Sequence, residues 1–151
     1  VSRDQRFLEA SPHEVFDVLG DGWLFPSWVV GASRIRDVEL TWPAVGARIH
    51  HSFGVWPLVI DDTTSVLEWH PPHRAVFRAR GWPFGEAQVT ITVHDRTGGC
   101  LVVMEEEAVT GPGALVPDAV LDPALGVRNR ETLRRLAWLA EGRLRERVGP
   151  S

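Results

Sequence analysis

The sequence predicts an α+β fold: a curved, seven-stranded antiparallel sheet wrapped around a long C-terminal helix, with two short helices after the first strand. Three observations predict it. The chain ends in an amphipathic stretch of helical period, Leu125 to Leu144. The middle holds six strand-like runs separated by turns too short for anything but antiparallel neighbours. Ahead of them lie one short strand candidate and two brief helical segments.

Arg6–Ala10 has strand character and is closed by Ser11-Pro12. Ser11 suits a helix cap, with Pro12 at the first helical position and Glu14 at the capping-box spacing, so Pro12–Leu19 reads as a helix. Gly20-Asp21-Gly22 ends it, and Trp23–Val30, interrupted by Pro26, reads as a second short helix or turn. The strand runs are Ser33–Leu40, Ala47–Phe53, Val59–Trp69, Arg74–Arg80, Glu86–His94 and Cys100–Thr110. Asp122 suits an N-cap and Pro123 a first helical position for the final helix. On a wheel of about 100° per residue, Leu125, Leu133, Leu136, Ala140 and Leu144 gather on one stripe, flanked by Thr132, Ala137 and Leu139. Arg130, Glu131, Arg134, Arg135 and Glu141 take the other side. Trp138 falls on the charged face, where it packs on a loop, lies on the surface or meets another chain.

Alternation within the strands shows which face is buried. Ala87, Val89, Ile91 and Val93 share one face of their strand, and Phe77 and Ala79 one face of theirs. Ile49, His51 and Phe53 oppose Arg48, His50 and Ser52. In a regular meander the turns at Trp56-Pro57 and Trp82-Pro83 lie at one end of the sheet, where the last strand also finishes. Trp42-Pro43, the His70–His73 turn and the Asp95–Gly99 turn lie at the other.

At 151 residues the chain is expected to form a single domain over residues 1–151. A net charge of −4 argues against nucleic-acid binding. All 16 basic residues are arginine, so Schiff-base chemistry on a lysine is excluded. A single cysteine, Cys100, excludes an intrachain disulfide and a cysteine-based zinc site. No apolar run reaches the roughly 18 residues of a membrane span, and no signal peptide is visible, so a cytoplasmic protein without stable membrane insertion is expected. No phosphate-cradling glycine loop or serine nucleophile elbow is present, and neither a cofactor nor a metal is expected. His70 and His73 lack an evident third ligand, and Asp61-Asp62 reads as a bulge or solvated edge.

The order of elements is that of the helix-grip fold, and particular segments carry a closer likeness. SPHEVFDVLGDGWLFPSW (residues 11–28) resembles the opening of the SRPBCC superfamily, which groups START lipid-transfer domains, birch-pollen-allergen-like proteins and polyketide cyclase/dehydrase-like proteins. GARIHHSFGVWPLVIDDTTSVLEWHPPHR (46–74), RARGWPFGEAQVTI (78–91) and RNRETLRRLAWLAEGR (128–143) resemble an actinobacterial polyketide cyclase-like subgroup. The resemblance implies a sheet gripping the C-terminal helix around a cavity for apolar small molecules. It assigns no catalytic residue, because the superfamily includes carriers, cyclases, hydrolases and chaperone activators.

Candidate site residues follow from facing. His50 and His51 are adjacent in a strand and point to opposite faces. Only His51 shares the inward parity, where it serves either as a backbone-satisfied core histidine or as a hydrogen-bond donor or general acid/base. Cys100, Val102, Met104 and Glu106 share one face of the last strand, and the resemblance favours that face as inward. Glu106 is then a carboxylate near the cavity, at the rim or paired with arginine. Asn129 falls in the apolar stripe, where an unpaired amide costs about 1–3 kcal/mol, so it is a satisfied core amide or a ligand contact. Seven tryptophans are dense for this length and either wall a pocket or fill the core. The expected lining is Trp23, Trp28, His51, Trp56, Trp69, Trp82, Met104, Glu106, Asn129, Leu133 and Leu136.

Three functions are consistent with this reading. The first is a carrier or binding protein for a hydrophobic or aromatic small molecule, lipid- or polyketide-like. The second is a polyketide cyclase/dehydratase with His51 or Glu106 moving protons, the folded pose contributing up to about 7–11 kcal/mol of proximity. The third is a protein-interaction module like the chaperone activators, with a filled core and an exposed apolar patch around Trp138.

Overall fold

Strand formation begins earlier than the apolar pattern predicts. In the computed structural model, whose described backbone comprises residues 2–55, 58–81 and 85–148, β1 spans Ser2–Leu8 rather than Arg6–Ala10. Its residues SRDQR are polar because β1 is an edge strand, paired only with the last strand from Ser2↔Glu106 to Leu8↔Cys100. Helix α1 (Pro12–Gly20) starts as its capping box requires: the Ser11 N–H donates to Glu14 Oε2 at 3.1 Å. A single 3₁₀ turn (Gly22–Leu24) and the four-residue α2 (Phe25–Trp28) follow.

The remaining strands are β2 (Ala32–Val38), β3 (Arg48–Val55), β4 (Leu58–His70), β5 (Arg74–Gly81), β6 (Gly85–Arg96) and β7 (Gly99–Thr110). They form one sheet of seven antiparallel strands in the order β1-β7-β6-β5-β4-β3-β2. That is the expected meander closed by β1 on its far side. Helix α3 spans Asp118–Val148 and packs on β1 and β7 of the sheet and on α1 and α2.

The start of α3 corrects one expectation. Asp122 is not a cap and Pro123 is not a first residue, because the helix already runs from Asp118 and carries Pro123 inside it. Proline there removes one i→i−4 bond, to the Ala119 carbonyl. Ala119 and Pro123 are both exposed, so water can satisfy that carbonyl.

Packing along α3 is uneven. Leu133, Leu136, Ala137 and Ala140 are fully buried and meet Leu8, Val15, Val18, Leu19, Ile91 and Val102 in one core. Trp42 stacks on Phe77, with centroids 5.8 Å apart, and donates its indole N–H to the Leu19 carbonyl at 3.2 Å, locking α1 to the sheet. This end of the sandwich is closed. The backbone N–H of Glu9 donates to the Glu141 carboxylate there at 2.8 Å, placing the C-terminal half of α3 beside the end of β1. The start of α3 therefore lies at the opposite end, with the β3–β4 and β5–β6 turns and the finish of β7.

Leu136 is wholly buried at the centre of the closed end. Leu136→Ala is expected to cost about 2–5 kcal/mol, read as a lowered urea midpoint with unchanged slope. A loss below about 1 kcal/mol would mean that the helix is not seated as described.

Candidate functional site

Opposed residues in an antiparallel ladder share a face, so the register identifies every side chain on the concave surface at the open end. Ile49 and His51 face inward on β3. Across β4 they meet Thr64 and Asp62. Thr64 opposes Ala79 on β5, Ala79 opposes Ala87 on β6, and Ala87 opposes Ala108 on β7. One row toward the open end, Gly81 opposes Gly85. One row toward the closed end lie Val66, Phe77, Val89 and Glu106. The middle of the concave face at the open end is thus made of alanine and glycine. Although they face inward, Ala79, Ala87 and Ala108 are only half-buried, whereas Phe77, Val89 and Ile91 behind them are buried. Side chains of one carbon or none leave a trough.

On the β3–β4 side the trough ends in a polar group. His51 is buried, and its Nε2 lies 2.9 Å from Thr64 Oγ1. Phe25 of α2 stacks on the imidazole at 5.1 Å, and Trp28 meets Phe25 edge-to-face at 5.5 Å. Burial, with the Arg36 guanidinium nearby, pushes the His51 pKa down to about 4, so the ring is neutral at pH 7. Asp62 is 6% exposed, and its Oδ1 accepts from the Thr63 N–H at 2.7 Å. Burial pushes its pKa up to about 6, opposed by that N–H and by Arg80. The expectation of a solvated edge at Asp61-Asp62 holds for Asp61 alone; Asp62 is an inward-facing carboxyl that single-strand patterning missed.

On the β7–α3 side, Glu106 is buried as its parity predicts. Its Oε1 accepts from Arg128 Nη2 at 3.3 Å, while its buried Oε2 has no hydrogen-bond partner among the described residues. Asn129, wholly buried, has neither amide atom partnered among them. The Trp28 indole N–H, also buried, is unpartnered in the same way. The Val30 N–H donates to Thr132 Oγ1 at 3.3 Å, tying α2 to α3 one turn from Asn129.

The other expected lining residues divide. Trp23 is 61% exposed on the 3₁₀ turn, where its backbone N–H is held by Asp21, and it walls nothing. Trp69 packs edge-to-face on Phe16 of α1 at 5.1 Å, so it props the closed end instead of the trough. Met104, Leu133 and Leu136 are core residues behind the trough. Trp56 and Trp82 lie outside the described residues. Trp138 is exposed, with the Arg134 guanidinium 4.6 Å above its ring. Among the described residues no three His, Cys, Asp or Glu side chains converge as metal ligands, and no helix is long and apolar enough to cross a membrane.

The family model described as polyketide cyclase/dehydrase and lipid transport matches residues 2–141. The chain belongs to this family. Among solved structures, the di-domain ARO/CYC protein StfQ from the steffimycin biosynthetic pathway superposes with a TM-score of 0.75 at 13% identity, over 94% of this chain and 50% of that one. The chain thus spans half of StfQ. Protein CV1439 from Chromobacterium violaceum gives 0.67 at 21% identity, covering 91% of this chain and 94% of that one. Ara h 8.0201 gives 0.68 at 10% identity, covering 93% and 96%. At these identities the likeness is one of fold, the helix-grip fold of the polyketide cyclase/dehydrase and lipid transport family. No curated protein matches the sequence.

Asp62 and His51 have opposite linkage. His51, with its folded pKa below 6.5, costs stability as pH falls from about 6.5 toward 4; Asp62, with its folded pKa above 3.8, costs stability as pH rises from about 4 to 6. Asp62→Asn removes the second slope. Its stability relative to the unmodified protein is expected to grow by roughly 2–3 kcal/mol between about pH 4 and pH 6 and to level off above. Urea denaturation across that range checks it; a pH-independent difference would contradict the buried position of Asp62.

Proposed function

We propose that this protein binds a hydrophobic or aromatic small molecule, lipid- or polyketide-like, between the concave sheet and α3, as a carrier or binding protein. The observation that carries the reading is the alanine floor: Ala79, Ala87 and Ala108 face inward yet are only half-buried, while Asn129 on the facing helix is wholly buried with neither amide atom partnered among the described residues. A buried amide that costs stability while unpartnered is a candidate to meet an oxygen of a guest that reaches it. Phe25 and Trp28 supply aromatic wall, Ala79, Ala87 and Ala108 apolar floor, and burial of the guest supplies affinity. The family match supports this class of guest.

A cyclase or dehydratase is the second reading, favoured by one observation. His51 is neutral at pH 7 and hydrogen-bonded to Thr64 on the inward face, the pair through which a proton would pass from a guest lying against the sheet. Glu106 is the other candidate: its Oε1 accepts from Arg128, and its buried Oε2 has no partner among the described residues. Turnover of a poly-β-ketone that His51→Ala or Glu106→Gln abolishes, with binding retained, would favour the enzyme over the carrier.

The binding reading has a distinctive signature in Asn129→Leu. Removing two unsatisfied polar atoms at similar volume is expected to raise stability by about 1 kcal/mol. The same change is expected to weaken an oxygenated aromatic ligand by about fivefold or more, read by quenching of tryptophan fluorescence. Stability and affinity falling together would instead mark Asn129 as structural.

A further inference from the structure

Helix α3 turns one continuous face away from its buried stripe. Among the described residues, the large apolar side chains that the helix exposes are Val120, Val127 and Trp138, at 66%, 66% and 58%. They are not scattered. At about 100° per residue they fall within about 20° of one line, opposite the stripe of Asn129, Leu133, Leu136 and Ala140. Glu131 and Arg134 stand on the same line between Val127 and Trp138. The steps from Val127 to Trp138 are thus four, three and four residues, the spacing of a seam between two helices. The Glu131 carboxylate accepts from Arg134 at 3.3 Å and from Arg135 at 3.2 Å, and the Arg134 guanidinium lies 4.6 Å over the Trp138 ring.

We propose that this face is the interface of a homodimer in which two copies of α3 pack antiparallel across a two-fold axis. The seam is complementary to itself in that arrangement. Val127 and Trp138 share their midpoint in the sequence with Glu131 and Arg134. An axis through that midpoint brings Trp138 onto the partner's Val127 and Glu131 onto the partner's Arg134, each contact made twice. A parallel pair would instead set Glu131 against Glu131 and Arg134 against Arg134. The guanidinium has five donors, so Arg134 can hold the partner's Glu131 while keeping its own. The other cations beside the axis are engaged within the chain: Arg130 lies 3.7 Å from Asp4, and Arg135 holds Glu131. Toward the ends, Val120 meets the aliphatic stem of the partner's Arg145. A bilayer surface fits this face poorly, because the Glu131–Arg134 pair interrupts its apolar line. A strongly acidic or basic partner fits poorly too, because the middle of the seam holds one charge of each sign. Two Trp138–Val127 contacts and two ion pairs make a small interface, with a dissociation constant on the order of 10–100 µM.

The test is sedimentation equilibrium of the intact chain from roughly 1 to 500 µM at about 0.15 M salt. The unmodified protein is expected to pass from monomer to dimer across that range. Trp138→Ala is expected to weaken the dimer by about tenfold or more. Glu131→Arg and Arg134→Glu each set like charges across the axis twice and are each expected to weaken it by about tenfold. Mixed in equal amounts, these two charge variants form a heterodimer in which both facing pairs are again of opposite sign. Its affinity is expected to return to within about threefold of the original. Pairing within one helix cannot produce that rescue. The three positions lie on the outer face of α3, and an unchanged far-ultraviolet circular dichroism spectrum checks that each variant is folded. A monomer at every concentration overturns the proposal and leaves the seam to a different occupant. A dimer insensitive to all three substitutions, or charge variants that mixing does not rescue, overturns the antiparallel α3 interface.

Discussion

The seating of α3 against the concave sheet is the constraint on which the rest of the structure depends. A helix laid on a curved sheet cannot pack tightly along its whole length unless the facing side chains fill the widening gap. Here they fill it at one end only. Leu133, Leu136 and Ala140 meet Leu8, Ile91, Val102 and the side chains of α1, and the Trp42–Phe77 stack braces that contact. Toward the start of α3 the sheet offers alanine and glycine, and the helix offers Asn129. The closed end supplies the stability that lets the open end remain underfilled.

That division explains why unfavourable groups persist at the open end. Among the described residues Asn129 is buried without partners and Glu106 keeps one oxygen unpaired, and His51 and Asp62 are each shifted by burial away from their charged forms. In a fully packed core each would be a defect. Around a trough they form a polar perimeter, held by contacts that are themselves satisfied: Thr64 to His51, Arg128 to Glu106, and Thr132 to the backbone of Val30. The positions of these groups are set by register and helix phase, so the proposed guest would meet them preformed.

Much of this was legible in the sequence, and the misses share a cause. The meander, the inward parity of His51 and Glu106 and the stripe position of Asn129 each follow from periodicity within one element. Asp62 was missed because that parity was not carried across the hairpin: Val55↔Leu58 pairing sets His51 opposite Asp62 and Ile49 opposite Thr64. The start of α3 was misplaced because Pro123 marks a favoured first position, whereas an exposed first turn tolerates one lost hydrogen bond. Tryptophan count said nothing about walls. Trp23 is at the surface, Trp69 serves α1, and Trp28 alone among the described candidates stands beside His51 through Phe25. β1 was read at Arg6–Ala10 and not from Ser2, because the polar start of an edge strand has no alternation to read.

The central claim is that the alanine floor borders space, and filling that space tests it most directly. Ala87→Phe places a ring over the middle of the trough. The account predicts that the urea midpoint is unchanged or raised, since the added ring covers apolar surface without displacing a neighbour, while saturable quenching by aromatic ligands disappears. A loss of more than about 2 kcal/mol, the cost of overpacking a core already at native density, would show that the trough is filled and contradict the account.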